Sequence, residues 1–268
     1  MKNLSKFFAV TSITILCFAG TSFAEIKKES QDKLAKLSSC QKAIINLEEK
    51  KILELCKEES ETDANVQFIF GKLYFEGRVV EIDYVEAKKW FEKAKESGST
   101  DAISALGTMY YFGAGVELST VDAVEYYIEA SDKNNSDGQM RYATMLLLGQ
   151  GGLEKDTDKA REYYIKSARK GNPMSLFHLG YIYFEGIGVE PDYEKSYIYF
   201  SAASYINAND KISKLMGKLN ERIEGLNKAE LNEKAQKYIN QYIKPNLPGS
   251  DEYKEKLINE LSKNEKKS

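Results

Sequence analysis

The chain has 268 residues and a formal net charge of −3, with 42% apolar and 29% charged residues, which is typical of a folded protein and argues against an intrinsically disordered one. It contains 18 Tyr and 12 Phe but only four Pro, so we expect long helices and little sheet. The charge balance offers no strong attraction for nucleic acid or an anionic membrane surface, and we expect no nucleic-acid partner.

The first 24 residues have the pattern of a cleavable secretory signal. Lys2 and Lys6 precede a short apolar run, and Ser22 and Ala24 occupy the small-residue positions before a cleavage site. We therefore expect residues 1–24 to be a signal peptide that is cut after Ala24, and the mature protein to be periplasmic or secreted. No later stretch is apolar enough to span a bilayer, so we expect no stable membrane insertion after cleavage.

Two cysteines follow the predicted cleavage site, Cys40 and Cys56. In an oxidising compartment such a pair usually forms a disulfide, although two buried free thiols remain the alternative. A disulfide would require the chain to fold back between them, because one continuous helix would place them about 24 Å apart. The fold-back is expected near Asn46, within an N-terminal helical cap over residues 25–64.

Residues 65–210 contain a repeated pattern of two blocks. The first block is centred on a small residue, and these residues follow one another at spacings of 36, 36 and 37: Gly71, Gly107, Ala143 and Gly180. The second block begins at Ala87, Ala123, Ala160 or Ser196 and carries two adjacent aromatic residues three and four positions later. A small residue allows two helices to approach closely, and the aromatic residues fill the space around it. The sequence thus predicts four repeats, each a pair of packed helices.

The ends of the predicted helices are marked by residues with known capping preferences. The second helix of each repeat is expected to begin after an N-cap at Asp83, Ser119, Asp156 or Asp192. The first helix is expected to end at a glycine with positive φ, namely Gly77, Gly113, Gly149 or Gly186. The second helix is likewise expected to end at a residue with positive φ, namely Gly98, Asn134, Gly171 or Asn207.

This pattern resembles the Sel-one-like repeat family, a relative of the tetratricopeptide repeats. The stretch "LGYIYFEGIGVEPDYEKSYIYFSAA" is similar to the family signature, which recurs in register four times from about residue 65 to 207. The loops depart from it at Val79 and Gly152. The resemblance implies an all-α fold, a right-handed α-solenoid of stacked helix-turn-helix repeats whose first helices line a concave surface.

Two segments follow the repeats. Residues 211–244 are predicted to form C-terminal capping helices, with Asn227 as an N-cap. Residues 245–268 form a charged tail with a short apolar stripe of Tyr253, Leu257 and Leu261, which predicts a helix of marginal stability.

The residue types required for catalysis are scarce. His178 is the only histidine, which argues against a metal site and against Ser-His or Cys-His catalysis, and we expect no cofactor and no catalytic residue. Some cysteine-rich members of the resembled family have been labelled β-lactamases, so an enzyme or binder acting on peptidoglycan or β-lactams is the alternative hypothesis. Two Ser-x-x-Lys matches, Ser30–Lys33 and Ser39–Lys42, fit it, but its companion motifs are absent from the sequence.

The segment "GYIYFEG" at residues 180–186 places four large apolar residues side by side, and helical periodicity separates them. Tyr183 matches the core aromatic of the pattern, whereas Tyr181 and Phe184 fall on the face expected to line the concave groove. The equivalent positions of all four repeats give the candidate groove residues Phe68, Lys72, Phe75, Tyr111, Leu147, Phe177, Tyr181 and Phe184.

Exposed aromatic surface of this extent usually marks an interaction site, although tight superhelical curvature would bury it instead. The leading hypothesis is an exported scaffold that binds a protein or peptide partner in its concave groove. A homodimer formed through the same aromatic residues is a third hypothesis.

Overall fold

A computed structural model describes residues 37–248 and 250–264, with side chains described as far as residue 259. The predicted signal peptide and the Ser30–Lys33 match lie outside these residues. Throughout the described part of the chain, regular secondary structure is helical, and consecutive helices pack as pairs. The predicted all-α solenoid is therefore confirmed.

The N-terminal cap consists of two short helices, α1 (Ser39–Ile45) and α2 (Glu49–Leu55). The chain leaves α1 at Asn46 and reverses direction, with Leu47 in the left-handed region at φ 57°. This reversal brings Cys40 and Cys56 together in a disulfide with a Cα–Cα distance of 4.9 Å. Both the disulfide and the position of the turn are confirmed.

Eight helices form the four repeats. In chain order they are α3 (Ala64–Glu76), α4 (Tyr84–Glu96), α5 (Thr100–Phe112), α6 (Thr120–Asp132), α7 (Ser136–Leu148), α8 (Thr157–Ala168), α9 (Pro173–Glu185) and α10 (Tyr193–Ile206). Among these eight, the odd-numbered helices are the first helices of their repeats, and the even-numbered helices are the second helices.

Helix ends follow the predicted capping residues almost throughout. Each second helix begins after a residue whose side chain accepts a backbone N–H bond: Asp83, Ser119, Asp156 and Asp192. Each first helix ends at a glycine with φ between 65° and 71°: Gly77, Gly113, Gly149 and Gly186. The prediction for Asn207 is wrong, because its φ is −153° and the last repeat ends in extended backbone.

In three of the four repeats, the two helices meet where a glycine of the first helix faces an aromatic ring of the second. A Cβ placed on Gly71 would lie 2.5 Å from the ring of Phe91, and one on Gly180 would lie 2.6 Å from the ring of Phe200. In the fourth repeat the small residue Ser196 also donates a hydrogen bond of 2.9 Å to the carbonyl of Gly180. The second residue of each adjacent aromatic pair is buried in the core, with at most 2% of its surface exposed: Phe91, Tyr127, Tyr164 and Phe200.

Three more helices complete the described chain: α11 (Asp210–Arg222), α12 (Lys228–Tyr238) and α13 (Asp251–Asn264). Helices α11 and α12 both pack on α10, and α12 continues through a π-helical segment, Ile239–Ile243. They cover the open end of the last repeat, as solenoid ends require.

Helix α13 returns to the N-terminal cap. Ile258 is 7% exposed and packs with Leu37 and Ile45, so the two ends of the described chain meet. Tyr253 and Leu257 of the predicted apolar stripe line a cavity next to Phe68 and Lys72. The buried contact is made by Ile258, which the predicted stripe did not include.

Candidate functional site

The eight predicted groove residues lie on the first helices of the repeats, and six of them line two pockets. The N-terminal pocket has a volume of about 310 Å³ and lies across three consecutive first helices, α3, α5 and α7. It contains three of the predicted residues, Phe68, Lys72 and Phe75. The C-terminal pocket has a volume of about 710 Å³ and lies between α7, α9 and α11. It contains three others, Leu147, Phe177 and Tyr181.

The remaining two predicted residues line neither pocket. Tyr111 lies edge-on to Phe112, with ring centroids 5.0 Å apart, and Phe184 packs against Tyr193 at the start of α10, with centroids 6.2 Å apart. Both side chains are half-buried. They occupy the edges of the core rather than the floor of either pocket.

The face that carries the candidate residues is partly open and partly buried. Tyr181 is 37% exposed, whereas Phe177, one turn earlier on the same helix, is 9% exposed. Their rings are nearly parallel, with an angle of 7° and centroids 6.5 Å apart. Tyr183 is 6% exposed, as expected for a core residue. As the helical period predicts, Tyr183 is therefore buried while Tyr181 is exposed to solvent.

The N-terminal pocket contains charges that pair with one another. Arg141 Nε donates to Asp137 Oδ2 over 2.8 Å, and Ser104 Oγ donates to the same oxygen over 2.6 Å. The guanidinium also lies 5.7 Å from the ring centroid of Tyr127. Burial disfavours the charged guanidinium, but Asp137 and Tyr127 together outweigh it and hold the pKa of Arg141 above its ordinary value. Within this pocket, the charge of Arg141 is thus already balanced.

The C-terminal pocket has an aromatic floor built around His178. Its imidazole stacks on Tyr164, with centroids 5.0 Å apart and planes 22° apart. Tyr164 in turn shares a hydrogen bond of 2.9 Å with Thr144 Oγ1. Burial, and then the nearby Lys211 ammonium, lower the pKa of His178. The imidazole is therefore neutral at neutral pH and contributes an apolar ring face to the pocket.

One edge of the C-terminal pocket is a row of three lysines on α11, which we call the lysine row: Lys211, Lys214 and Lys218. All three are exposed, while Ile212 and Leu219 of the same helix are buried. Lys211 Nζ lies 4.5 Å from the ring centroid of Phe177, as a cation–π contact. No salt bridge in the described part of the chain involves the lysine row.

Sequence reasoning missed two groups of pocket residues. One is the position two residues before each small residue of the first block, which holds Ala105, Arg141 and His178 in the later repeats. The other is the lysine row, which lies in a segment assigned to capping alone. Its signal was present, because lysines three and four residues apart share one face of a helix.

Two features bear on possible chemistry, namely potential metal ligands and the second Ser-x-x-Lys match. Residues 37–248 and 250–264 contain no group of three or more His, Cys, Asp or Glu side chains arranged to hold a metal ion. Ser39 and Lys42 of the second Ser-x-x-Lys match lie one turn apart in α1, beside the disulfide at Cys40. In the part of the chain that the structure describes, no helix has the length and apolar composition to cross a membrane.

Solved structures that resemble this fold include two repeat proteins. A Sel1 repeat protein from Oxalobacter formigenes superposes with a TM-score of 0.59 at 21% identity, over 84% of this chain and 98% of that one. A protective antigen present in uropathogenic Escherichia coli strains, which displays an SLR fold, gives a TM-score of 0.57 at 28% identity. That similarity covers 72% of this chain but only 40% of the antigen.

The sequence itself matches a known repeat family. No curated protein shows significant similarity to the chain. The Sel1 repeat family, however, matches four consecutive segments that together exceed half of the chain: residues 67–99, 100–135, 136–172 and 173–205. These segments cover nearly the whole of the four helix pairs, and the chain belongs to the Sel1 repeat family.

Proposed function

We propose that this protein is an exported scaffold that binds a segment of a partner protein along the first helices of its repeats. Sel1 repeats generally mediate protein–protein interaction, which supports this class of function over an enzymatic one. The observation that carries the proposal is the pair of pockets on these helices. Each combines aromatic side chains with open access to solvent, as binding pockets commonly do.

The distance between the pockets favours an extended or helical segment over a small molecule. The N-terminal pocket reaches α7 through Asp137 and Arg141, and the C-terminal pocket begins on the same helix at Leu147. Arg141 and Leu147 are six residues apart, which corresponds to about 9 Å along a helix. A polypeptide of moderate length can place one side chain in each pocket.

A matched pair of tyrosine variants tests the binding surface. Tyr181 lines the C-terminal pocket and is 37% exposed, whereas Tyr205 is 46% exposed and lies at the end of α10, outside both pockets. We expect Tyr181→Ala to lose partners that the wild-type protein captures from cell-envelope and culture-supernatant proteins. Tyr205→Ala should retain them, because it removes a similar exposed ring from another surface.

Two results would contradict this proposal. Equal capture by both tyrosine variants would place the working surface elsewhere. A stable dimer in light scattering that Tyr181→Ala dissociates would mean that the surface is occupied by a second copy of the chain. Thermal unfolding of each variant shows whether the fold is intact.

The proposed export rests on the predicted signal peptide, and the cap disulfide supports it. A disulfide such as Cys40–Cys56 persists in oxidising compartments and is rare in the cytosol. Fractionation of producing cells, followed by N-terminal sequencing of the protein, tests this directly. A mature chain that begins at Glu25 is expected, and an unprocessed chain in the cytosol would overturn the proposal.

A further inference from the structure

The C-terminal pocket combines two features that are usually found apart. Its floor is apolar and aromatic, formed by Phe177, Tyr181 and the ring face of His178. Its edge is the lysine row, whose positive charges have no carboxylate partner among the described residues. The N-terminal pocket differs, because Arg141 there is paired with Asp137 and Lys72 lies 3.8 Å from Glu76. Uncompensated positive charge is thus a property of the C-terminal pocket.

The dimensions of the lysine row indicate more than one negative group on the ligand. Lys211 and Lys218 are seven residues apart on α11, so their α-carbons are separated by roughly 10 Å along the helix axis. Side chains on one face of an extended peptide repeat every 6–7 Å or so, and those on one face of a helix every 5–6 Å or so. Two or three acidic side chains of a peptide can therefore meet the row together, whereas a ligand with one carboxylate reaches only part of it.

The apolar floor of the pocket requires a large apolar side chain on the ligand. A cavity of about 710 Å³ bordered by Leu147, Phe177 and Leu215 is large enough for one large aliphatic or aromatic side chain and the peptide backbone around it. Filling it removes apolar surface from water, which is the main favourable term in binding of this kind. The neutral imidazole of His178 adds no charge that would oppose this burial.

We propose that the C-terminal pocket selects partner segments in which a large apolar side chain is flanked by Asp or Glu residues. The apolar side chain lies on the aromatic floor, and the carboxylates pair with the lysine row. This inference rests on the proposed groove function and adds the chemistry of the partner to it. Charge complementarity at such an edge contributes specificity and a faster association rate.

A random 12-residue peptide library displayed on phage, selected on the purified protein, tests the inference. We expect the selected peptides to be enriched in Asp and Glu on either side of Leu, Phe, Tyr or Trp. A synthetic peptide with the enriched sequence should bind about tenfold more weakly to the Lys211→Gln, Lys214→Gln, Lys218→Gln variant, because three exposed ion pairs are lost. Its binding to the wild-type protein should also weaken as the salt concentration rises.

The matched control removes the same charge elsewhere. Lys57, Lys228 and Lys237 are exposed and lie outside both pockets, and their replacement by Gln should leave peptide binding unchanged. Laurate, which has an apolar chain and a single carboxylate, is a second probe. Laurate binding in the absence of peptide binding would overturn the inference in favour of a lipid-like ligand.

The outcomes distinguish this inference from the proposed function. Peptides that bind, lose affinity with Tyr181→Ala and show no acidic enrichment would overturn the inference and leave the groove function standing. Acid-rich peptides that bind the lysine variant as tightly as the wild-type protein would do the same. A library that yields no binding peptide at all would count against both.

Discussion

The imidazole of His178 stacks on the phenol ring of Tyr164, with ring centroids 5.0 Å apart. The two residues belong to neighbouring repeats, so the contact joins the third helix pair to the fourth. Burial, and then Lys211, hold the pKa of His178 below its ordinary value of 6.5. The folded protein therefore resists protonation of a side chain that protonates readily in the unfolded chain.

The first prediction concerns the dependence of stability on pH. Well above pH 6.5 His178 is neutral in both the folded and the unfolded state, so it adds no pH dependence. As the pH falls from there towards the lowered pKa, the unfolded chain binds a proton first, and the free energy of unfolding decreases. His178→Phe keeps a ring on Tyr164 but cannot bind a proton. Urea unfolding at several pH values should show a smaller acid-induced loss for the variant than for the wild-type protein.

The contrary result is straightforward to recognise. Carboxylate titrations are common to both proteins and cancel in the comparison. An equal loss of stability in wild type and His178→Phe between about pH 7 and pH 5 would mean that His178 is protonated in the folded state as easily as in the unfolded one.

The second prediction tests the close approach of paired helices. A Cβ on Gly107 would lie 2.7 Å from the ring of Tyr127 and 2.9 Å from Cβ of Tyr126. Gly107→Ala should therefore lower the free energy of unfolding by about 1–3 kcal/mol, as overpacking of a core does. Gly217 in α11 is the matched control, because a Cβ there meets nothing within 4 Å. Gly217→Ala should raise stability by about 0.5–1 kcal/mol through helix propensity.

Urea unfolding of the two glycine variants decides the matter. If Gly107→Ala raises the free energy of unfolding as Gly217→Ala does, the close contact of Gly107 with Tyr127 does not oppose a larger side chain. Retention of the wild-type helix content by circular dichroism shows that Gly107→Ala changes stability rather than the fold.

The third prediction concerns the disulfide of the N-terminal cap. Helices α1 and α2 are only seven residues long each, too short to be stable alone, and the bond between Cys40 and Cys56 closes their loop. Replacing both cysteines by Ala should cost about 3 kcal/mol of cap stability. Hydrogen exchange should then accelerate in Ser39–Leu55 while the repeats keep their protection. Exchange that stays slow after the replacement would show that packing alone holds the cap.

The fourth prediction addresses the contact between the two ends of the chain. Ile258→Ala should weaken the docking of α13 on Leu37 and Ile45 by about 2 kcal/mol or more, because it removes a buried side chain. Amide exchange should accelerate in α13 and in α1. Glu255→Ala, an exposed position on the same helix, serves as the control and should leave exchange unchanged. Unchanged exchange in Ile258→Ala would mean that this residue does not hold α13 in place.

Local chemistry explains what could be predicted from the sequence. Positive φ at Gly113 and an N-cap bond at Ser119 depend on a few neighbouring residues, and both were correctly predicted. The period of the helix likewise separated buried Tyr183 from exposed Tyr181. Such features follow from backbone sterics and hydrogen bonding within one or two turns.

The remaining features depend on the sum of many small rotations between repeats. The contact of Ile258 with Leu37 joins residues more than 200 positions apart, and no local pattern encodes the curvature that brings them together. The lysine row was missed for a similar reason, because α11 borders a pocket only once it has packed on α10. Asn207 has the residue type of a left-handed helix end, but the chain there leads directly into α11 in extended backbone.

Each first helix uses different positions for different purposes. The small residue packs against the second helix, and the residue two positions before it lines a pocket. At the lining register two residues before each small residue, Arg141 faces the ring of Tyr127 and His178 faces the ring of Tyr164. Arg141 contributes a cation and His178 a neutral ring, and each lies against a buried tyrosine ring. A change of residue at this register can therefore alter the chemistry of a subsite while the aromatic ring of the preceding repeat is kept as its contact.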